Sequence, residues 1–250
     1  MSERIDRRVL GAVQAVDVAG RRPIARELHV VSETLRFTRN QSGLHVVTNA
    51  PGLEAYTGVF DQSVLPVVPP REFFVRVEDP AGEFHPREIP ITLPRDTTPV
   101  ARGVPPPTGS LFAVEEIELL PTILASVASS DAVLFVRALR APNGPAFAGL
   151  LVRANGPGGI VGWGMTDADG EALVAVPGLP HFRETGGTLT DRTTLTLAFI
   201  AMAPPPAGRL PNWRDSAMTP GNSATLAGGQ PPSVDAAPGR EFRLTAIVTP

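Results

Sequence analysis

The sequence predicts an all-β protein with two tandem β-sandwich domains joined by a proline-rich linker. Three observations support this prediction. Proline and glycine contribute 28 and 24 of the 250 residues, and prolines at this density interrupt long helices. Hydrophobic residues make up 42% of the chain, which is enough to form cores. Short segments with alternating apolar residues recur between turn signals, as they do in β-sandwiches.

The N-terminal domain is predicted to span residues 1–98. Val9 and Val13 fall on one face of its first strand because side chains alternate along a strand. Asn40–Gly43 and Asp79–Gly82 have the composition of turns between strands. The strands predicted for this domain are Val9–Val16, Leu28–Val31, Leu35–Thr38, Leu44–Val47, Tyr56–Phe60, Phe73–Val77 and Arg87–Leu93.

The linker is predicted at residues 99–110. This stretch contains Pro105, Pro106 and Pro107, and consecutive prolines form a semi-rigid spacer rather than a packed element. We therefore expect a domain boundary here, with the second domain spanning residues 111–250.

The second domain opens with Leu111–Val127, whose pattern fits either a helix or a strand. Pro121 would interrupt a continuous helix, so we favour a strand with Ile117 and Leu119 pointing inward. The apolar run that follows, Ala132–Arg140, predicts a central strand buried on both faces. The remaining predicted strands are Leu150–Arg153, Ile160–Met165, Ala172–Val176, Thr193–Ala201 and Phe242–Val248.

A long connection, residues 204–239, separates the last two of these strands and is rich in Pro, Gly, Ala and Ser. Connections of this length are uncommon in compact domains and are usually functional or disordered. Trp213 in this connection either anchors it to its own domain or contacts a partner protein. Trp and Arg are favoured at interface hot spots, so Trp213, Arg214 and Trp163 form the predicted partner-binding site.

Three segments of the second domain carry a family resemblance: Leu134–Ala138, Ala148–Val152 and Gly164–Gly170. Over residues 130–200 the chain resembles the carboxypeptidase regulatory-like domain, a transthyretin-like sandwich with a Thr-Asp-x-x-Gly turn before a strand. The family's Gly-x-Pro-x-x-Gly-Ala stretch is loosened here to Pro142–Ala148. Members of this family are accessory spacers, adhesion modules and assembly parts, so the resemblance implies a protein without catalytic activity.

The first domain resembles accessory modules of bacterial and phage-tail-like assemblies. The segments Arg39–Val46 and Ile91–Asp96 carry this resemblance. It implies a role in assembly for the first domain as well.

Charge and residue usage exclude several classes of function. The net charge is −3, whereas nucleic-acid-binding surfaces normally show a basic excess, so we expect no nucleic-acid partner. The chain has no cysteine, which excludes disulfides and thiolate metal sites. Met1–Arg8 is charged, and no apolar run long enough for a signal peptide follows it. We expect synthesis in the cytosol, no membrane span, and incorporation into a virion-like or extracellular particle.

No motif for catalysis, metal binding or cofactor binding is evident. Asp167-x-Asp169-Gly170 resembles the start of a calcium loop, but the twelfth position, where an EF-hand needs glutamate, is Gly178. We predict instead a structural turn whose aspartates accept hydrogen bonds from local backbone N–H groups. The glycine-rich Asn155–Gly159 lacks the lysine of a phosphate loop.

The remaining candidates for chemistry are isolated polar side chains. The histidines show no metal-ligand spacing, and a Gly-x-Ser-x-Gly nucleophile motif is absent. The acidic group that follows the linker is predicted to be a solvated strand edge. We therefore predict no catalytic residue, no metal ligand and no cofactor. The histidines are His29, His45, His85 and His181, and the acidic group is Glu115, Glu116 and Glu118.

These observations together predict a non-enzymatic structural component of a larger assembly, such as a phage tail or contractile injection apparatus. It would bind other protein subunits through its edge strands and residues 204–239. The alternative is a module that binds carbohydrate or a cell-surface ligand. Trp163 and Trp213 would then provide the stacking surface, although the chain has only two Trp and one Tyr. A hydrolase with a site assembled from distant loops is a third possibility.

Overall fold

The computed structural model describes residues 9–57, 67–185, 188–218, 225–226 and 232–249. About 45% of the residues are in strands and about 4% are in helices, which confirms the prediction of an all-β protein. The contacts within the chain divide it into two compact units. Unit 1 comprises Met1–Val16, Pro23–Pro80 and Pro86–Glu118, and unit 2 comprises Asp17–Arg22, Ala81–His85 and Leu119–Pro250.

Two sheets form the strand framework of unit 1. One sheet has the order β3-β4-β1-β7, and the other has the order β2-β5-β6. The elements are β1 (Gly11–Asp17), β2 (His29–Val31), β3 (Arg36–Arg39), β4 (His45–Asn49), α1 (Glu54–Thr57), β5 (Arg71–Glu78), β6 (Arg87–Leu93) and β7 (Val114–Leu119).

Burial alternates along β5, as the sequence pattern predicts. In β7 it does not, because Glu118 is buried as well, at 7% exposed, so the prediction that the acidic group forms a solvated strand edge is wrong for Glu118. Val75 and Val77 of β5 are fully buried, and so are Ile117 and Leu119 of β7, the two residues predicted to point inward. Side chains two residues apart share a face of a strand. Each of these strands therefore turns one apolar face towards the core.

The strand predicted at Tyr56–Phe60 is wrong over the residues that the structure describes there. Glu54–Thr57 forms the short helix α1, while residues 58–60 lie outside the described residues. The Thr57 N–H donates to the Leu53 carbonyl at 2.9 Å, and both Leu53 and Tyr56 are buried. Burial three residues apart matches the period of a helix rather than that of a strand, and the sequence-based reading missed this spacing.

The proline-rich segment precedes a strand that joins the first sheet. Asp96 and Ser110 are bridged, and the Leu111 N–H donates to the Asp96 carbonyl at 2.7 Å. β7 then lies beside β1, although the sequence assigned residues from 111 onward to the second domain. The predicted linker and domain bounds stay predictions.

Unit 2 contains an eight-stranded sheet of order β15-β17-β8-β11-β10-β9-β14-β16 and a separate hairpin, β12-β13. β17 runs parallel to β8, whereas the other ladders recorded for this sheet are antiparallel. The elements are β8 (Ala132–Leu139), β9 (Leu150–Asn155), β10 (Val161–Met165), β11 (Glu171–Val176), β12 (Arg183–Thr185), β13 (Thr188–Thr190), β14 (Thr193–Ala201), α2 (Trp213–Met218), β15 (Thr225–Leu226), β16 (Ser233–Ala236) and β17 (Glu241–Thr249).

One hydrophobic cluster packs on one face of this sheet. Gly162 of β10 faces the neighbouring strand closely, because a Cβ atom there would lie 2.7 Å from the Ala175 carbonyl oxygen. A larger side chain would force these two strands apart. The buried cluster includes Leu134, Val136, Leu150, Val152, Val174, Val176, Leu195, Leu197, Phe199, Ala236, Ala246 and Val248.

β8 is central, as predicted, because it lies between β11 and β17. The prediction that it is buried on both faces is wrong. Leu134 and Val136 lie in the core, whereas Phe135 is half-buried and Arg137 is exposed. The inward-facing residues of this apolar run are therefore buried, whereas its outward-facing residues leave the other face of β8 partly open to solvent.

The predicted connection 204–239 is partly structured. It supplies the helix α2 and both edge strands of the unit 2 sheet, because β15 pairs with β17 and β16 pairs with β14. Residues 219–224 and 227–231 of this connection lie outside the described residues. Within the described part of the chain, no helix has the length and apolar character needed to cross a membrane.

Candidate functional site

All three residues of the predicted partner-binding site lie together in unit 2. Trp163 is on β10, and Trp213 and Arg214 begin α2. The ring centroids of Trp163 and Trp213 are 5.5 Å apart, and the ring planes are tilted by 48°. This geometry is favourable for aromatic pairs, which avoid a face-to-face sandwich. The fold thus joins residues that are 50 positions apart in the sequence.

Two arginines extend this aromatic pair into a row of four side chains. The Arg214 guanidinium lies 4.5 Å from the Trp213 ring centroid, and the Arg153 guanidinium lies 5.3 Å from the Trp163 ring centroid. Arg153 is brought there by strand register, because it is paired with Trp163 across β9 and β10. Cation–π contacts that are exposed to solvent stabilise a fold by about 0.5–1 kcal/mol each. Sequence reasoning missed Arg153, although an arginine opposite a tryptophan in a hairpin is a usable signal.

Trp213 is held inside unit 2 rather than presented to solvent. Its side chain is only 3% exposed, and it packs with Leu120, Leu151 and Ile200. The Asn212 side-chain oxygen accepts a hydrogen bond from the Arg214 N–H at 3.3 Å, which is the preferred arrangement before a helix. The sequence left two interpretations of Trp213 open, an anchor to its own domain or a contact to a partner protein. This geometry matches the anchor. A partner-binding role for the three residues stays a prediction.

The Asp167 turn has the structural role that the sequence predicted. The Asp167 carboxylate accepts hydrogen bonds from the N–H groups of Asp169 and Glu171, both at 2.9 Å. Gly170 closes the turn with a φ of 75°, a backbone conformation that residues other than glycine rarely adopt. Among the described residues, no group of three His, Asp or Glu side chains is placed to hold a metal ion.

Thr166, the first residue of the Thr-Asp-x-x-Gly turn, fixes the position of this turn against the core, a role that the sequence did not predict. Its buried hydroxyl donates to the Phe147 carbonyl at 2.6 Å and accepts from the Leu150 N–H at 2.8 Å. Thr166 is 2% exposed, so both hydrogen bonds are shielded from water. The threonine of the Thr-Asp-x-x-Gly turn therefore joins this turn to the start of β9.

The histidines have separate environments. His85 is half-buried, and its Nε2 lies 3.2 Å from the Met165 carbonyl oxygen. Burial lowers the pKa of His85, while the hydrogen bond to Met165 and the nearby Asp167 act in the opposite direction. Burial also lowers the pKa of His45, and the positive charge of Arg39 adds to this effect. His29 and His181 are exposed, as predicted for histidines on strand surfaces and rims.

Comparisons with known proteins provide little further guidance. No family model matches the chain, and no curated protein matches it. Among solved structures, the chain is similar to the Bacillus anthracis TIE protein with 10% sequence identity and a TM-score of 0.25. The match covers 96% of this chain and 34% of that chain, so this chain spans about a third of its length. A similarity at this level carries no argument about function.

Proposed function

We propose that the protein is a non-enzymatic assembly component that binds neighbouring subunits by adding a β-strand to its unit 2 sheet. One edge of β14 carries this proposal. β14 has nine residues, of which Thr193–Thr196 pair with β16. Residues 198–201 pair with β9 on one side, and within the described ranges no strand pairs with them on the other side.

The backbone groups at this edge point in the direction that strand addition requires. The Leu197 N–H donates to the Pro232 carbonyl at 2.9 Å, on the side occupied by β16. Backbone groups alternate between the two sides of an antiparallel strand. The N–H and C=O groups of Phe199 and Ala201 therefore point to the same side as the Leu197 N–H, and an incoming strand would bind them there.

The sequence at this edge lacks the features that usually prevent strand addition. Residues 198–201 read Ala-Phe-Ile-Ala, without charge or proline. In unit 1, by contrast, the edge strand β3 carries Arg36 and Arg39, and β6 contains Pro90. Charged residues and proline at edges discourage pairing with another chain. The edge of β14 is accordingly the preferred docking site.

The wider setting of this role is part of the same proposal. We propose that the chain forms two tandem β-sandwich domains, the second of them carboxypeptidase regulatory-like, joined through residues 99–110. The assembly would be a phage-tail-like or contractile injection apparatus, as the sequence resemblances imply. The division of the chain into two compact units, each with its own sheets, supports the proposal of two domains.

A substitution at Ala201 tests the docking edge. Ala201→Pro removes an N–H that points away from β9, so the ladder between β14 and β9 should survive. Ala201→Val keeps this N–H and is the matched control. The tagged variants would be purified from the cells that encode the protein, and the masses of their native complexes would be measured. We expect a complex of fixed stoichiometry for the parent and Ala201→Val, and its loss for Ala201→Pro.

Two results would contradict this proposal. The parent protein could purify as a monomer without companions, which would exclude an assembly role under these conditions. Alternatively, Ala201→Pro could keep the complex, which would exclude docking at this edge. Carbohydrate binding is less compatible with the geometry, because Trp213 is buried and the tryptophan pair leaves no exposed pair of rings for a sugar. A glycan array would test that alternative if the parent is monomeric.

A further inference from the structure

A cleft of about 450 Å³ lies on the outer face of β17, β8 and β11 in unit 2. Leu134 and Val136 of β8 point into the core, so the alternating residues between and beyond them face the cleft. Polar, aromatic and aliphatic side chains contribute to its lining. Those that matter for binding are Ile123, Phe135, Arg137, Glu171, Arg243 and Thr245.

Strand register places the two arginines of the cleft as diagonal neighbours. Arg243 is paired with Phe135, and Thr245 is paired with Arg137, across the parallel ladder of β17 and β8. Diagonal neighbours on one face of a sheet are within reach of long side chains. Both guanidinium groups and the Thr245 hydroxyl can therefore donate hydrogen bonds to a single group in the cleft.

Arg243 is held in position by the aromatic floor of the cleft. Its guanidinium carbon lies 4.5 Å from the Phe135 ring centroid, so stacking limits its orientation while its N–H groups remain accessible. Both Arg137 and Arg243 are exposed. No ion pair recorded for the described residues joins either arginine to a carboxylate.

We propose that this cleft binds a carboxylate side chain from an acidic segment of a partner protein. Guanidinium groups match the planar carboxylate and can bind it through two parallel hydrogen bonds. Phe135 and Ile123 provide apolar contact for the methylene groups of the incoming side chain. Glu171 lies opposite Arg137 across β11 and β8 and also lines the cleft, so its negative charge lowers the positive potential there and favours a singly charged carboxylate over a phosphate. This cleft lies on β17, β8 and β11, away from the proposed docking edge of β14, so this proposal does not depend on strand addition at β14.

Calorimetric titration with short peptides tests this assignment. The probe is a hexaglutamate peptide with acetylated and amidated ends, and a hexaglutamine peptide of the same length is its uncharged counterpart. We expect binding of the glutamate peptide alone, weakened by added salt. Arg137→Gln and Arg243→Gln should each weaken binding about tenfold, because each removes charge-assisted hydrogen bonds. Arg243→Lys keeps the charge but loses the fork geometry, and it should also weaken binding.

Arg192→Gln is the matched control, because Arg192 is exposed in unit 2 and does not line the cleft. It should bind the glutamate peptide as the parent does. Equal loss in Arg192→Gln would indicate a diffuse charge effect and would overturn the proposal. Equal binding of both peptides, or inorganic phosphate competing through the same two arginines with equal strength, would overturn it as well. Self-association that depends on these arginines would assign the cleft to a second copy of the chain instead.

Discussion

Replacing Trp213 by alanine should destabilise unit 2 strongly. The ring is 3% exposed, and burial of about 200 Å² at about 25 cal/mol per Å² corresponds to about 5 kcal/mol as an upper estimate. Measured losses for truncating buried Trp or Phe are about 3–5 kcal/mol. We expect the free energy of unfolding to fall by about 3–5 kcal/mol, because the substitution leaves a cavity beside Leu120, Leu151 and Ile200.

Urea unfolding monitored by circular dichroism measures this change. Arg214→Ala is the control, because it removes the cation–π contact on Trp213 while leaving the indole in place. Its cost should be about 0.5–1 kcal/mol. A double-mutant cycle with Trp163→Ala should then give a coupling energy of about 0.5–1.5 kcal/mol between the two rings.

One outcome would refute this reasoning. If the free energy of unfolding of Trp213→Ala lies within about 0.5 kcal/mol of the parent's, as is typical of substitutions at exposed sites, then Trp213 does not anchor α2 to unit 2. The other reading of Trp213, as a contact to a partner protein, would then become the better one. Intact stability combined with loss of the native complex would establish that reading directly.

Two further predictions concern polar groups of unit 2, the buried Thr166 and the half-buried His85. Thr166→Val should lower the free energy of unfolding by about 1–3 kcal/mol, because it leaves the Leu150 N–H buried without an acceptor. Thr166→Ser keeps the hydroxyl and should recover most of this loss in the same urea assay. Burial lowers the pKa of His85 from 6.5, so the unfolded state binds more protons than the folded state below this pH. The stability that neutral His85 contributes is complete above pH 6.5 and is lost as the pH falls through its lower folded-state pKa, by about 1.4 kcal/mol per unit of pKa difference. His85→Gln should flatten this pH dependence of the free energy of unfolding in urea titrations. Asp17, whose pKa is raised mainly by burial, has the opposite effect at lower pH, because its protonation favours the folded state. An unchanged pH profile in His85→Gln would contradict the assignment.

Much of the strand framework could be predicted because local pattern and turn chemistry determine it. Val75 and Val77 alternate with partly exposed neighbours, and a two-residue period indicates a strand wherever it occurs. The strand prediction at Tyr56 is wrong because α1 has only four residues. A segment this short does not contain enough apolar positions to distinguish a helical from a strand period. The sequence did not predict the hairpin β12-β13 or the edge strands β15 and β16, because these strands are defined by pairing with other strands, which local pattern does not specify.

The candidate sites required more than local pattern. Residue type alone predicts Trp163, Trp213 and Arg214 as a site, and only the packing of α2 on the sheet brings the two tryptophan ring centroids within 5.5 Å of each other. Arg153 joins them through strand register, which a single sequence does not specify. Likewise, Arg137 and Arg243 lie on neighbouring strands that are joined in parallel, a pairing between residues that are far apart in the chain.

By itself, the sequence determined that the chain is β-rich, that it carries no thiol, and that Asp167 forms a structural turn. These properties follow from composition and from interactions within a few residues. Tertiary structure alone decided that Trp213 is buried, that residues 198–201 of β14 pair with β9, and that the Arg243 guanidinium lies over the Phe135 ring. Each of these depends on which strands become neighbours. Strand pairing is a non-local choice, settled by how all the apolar faces are buried together.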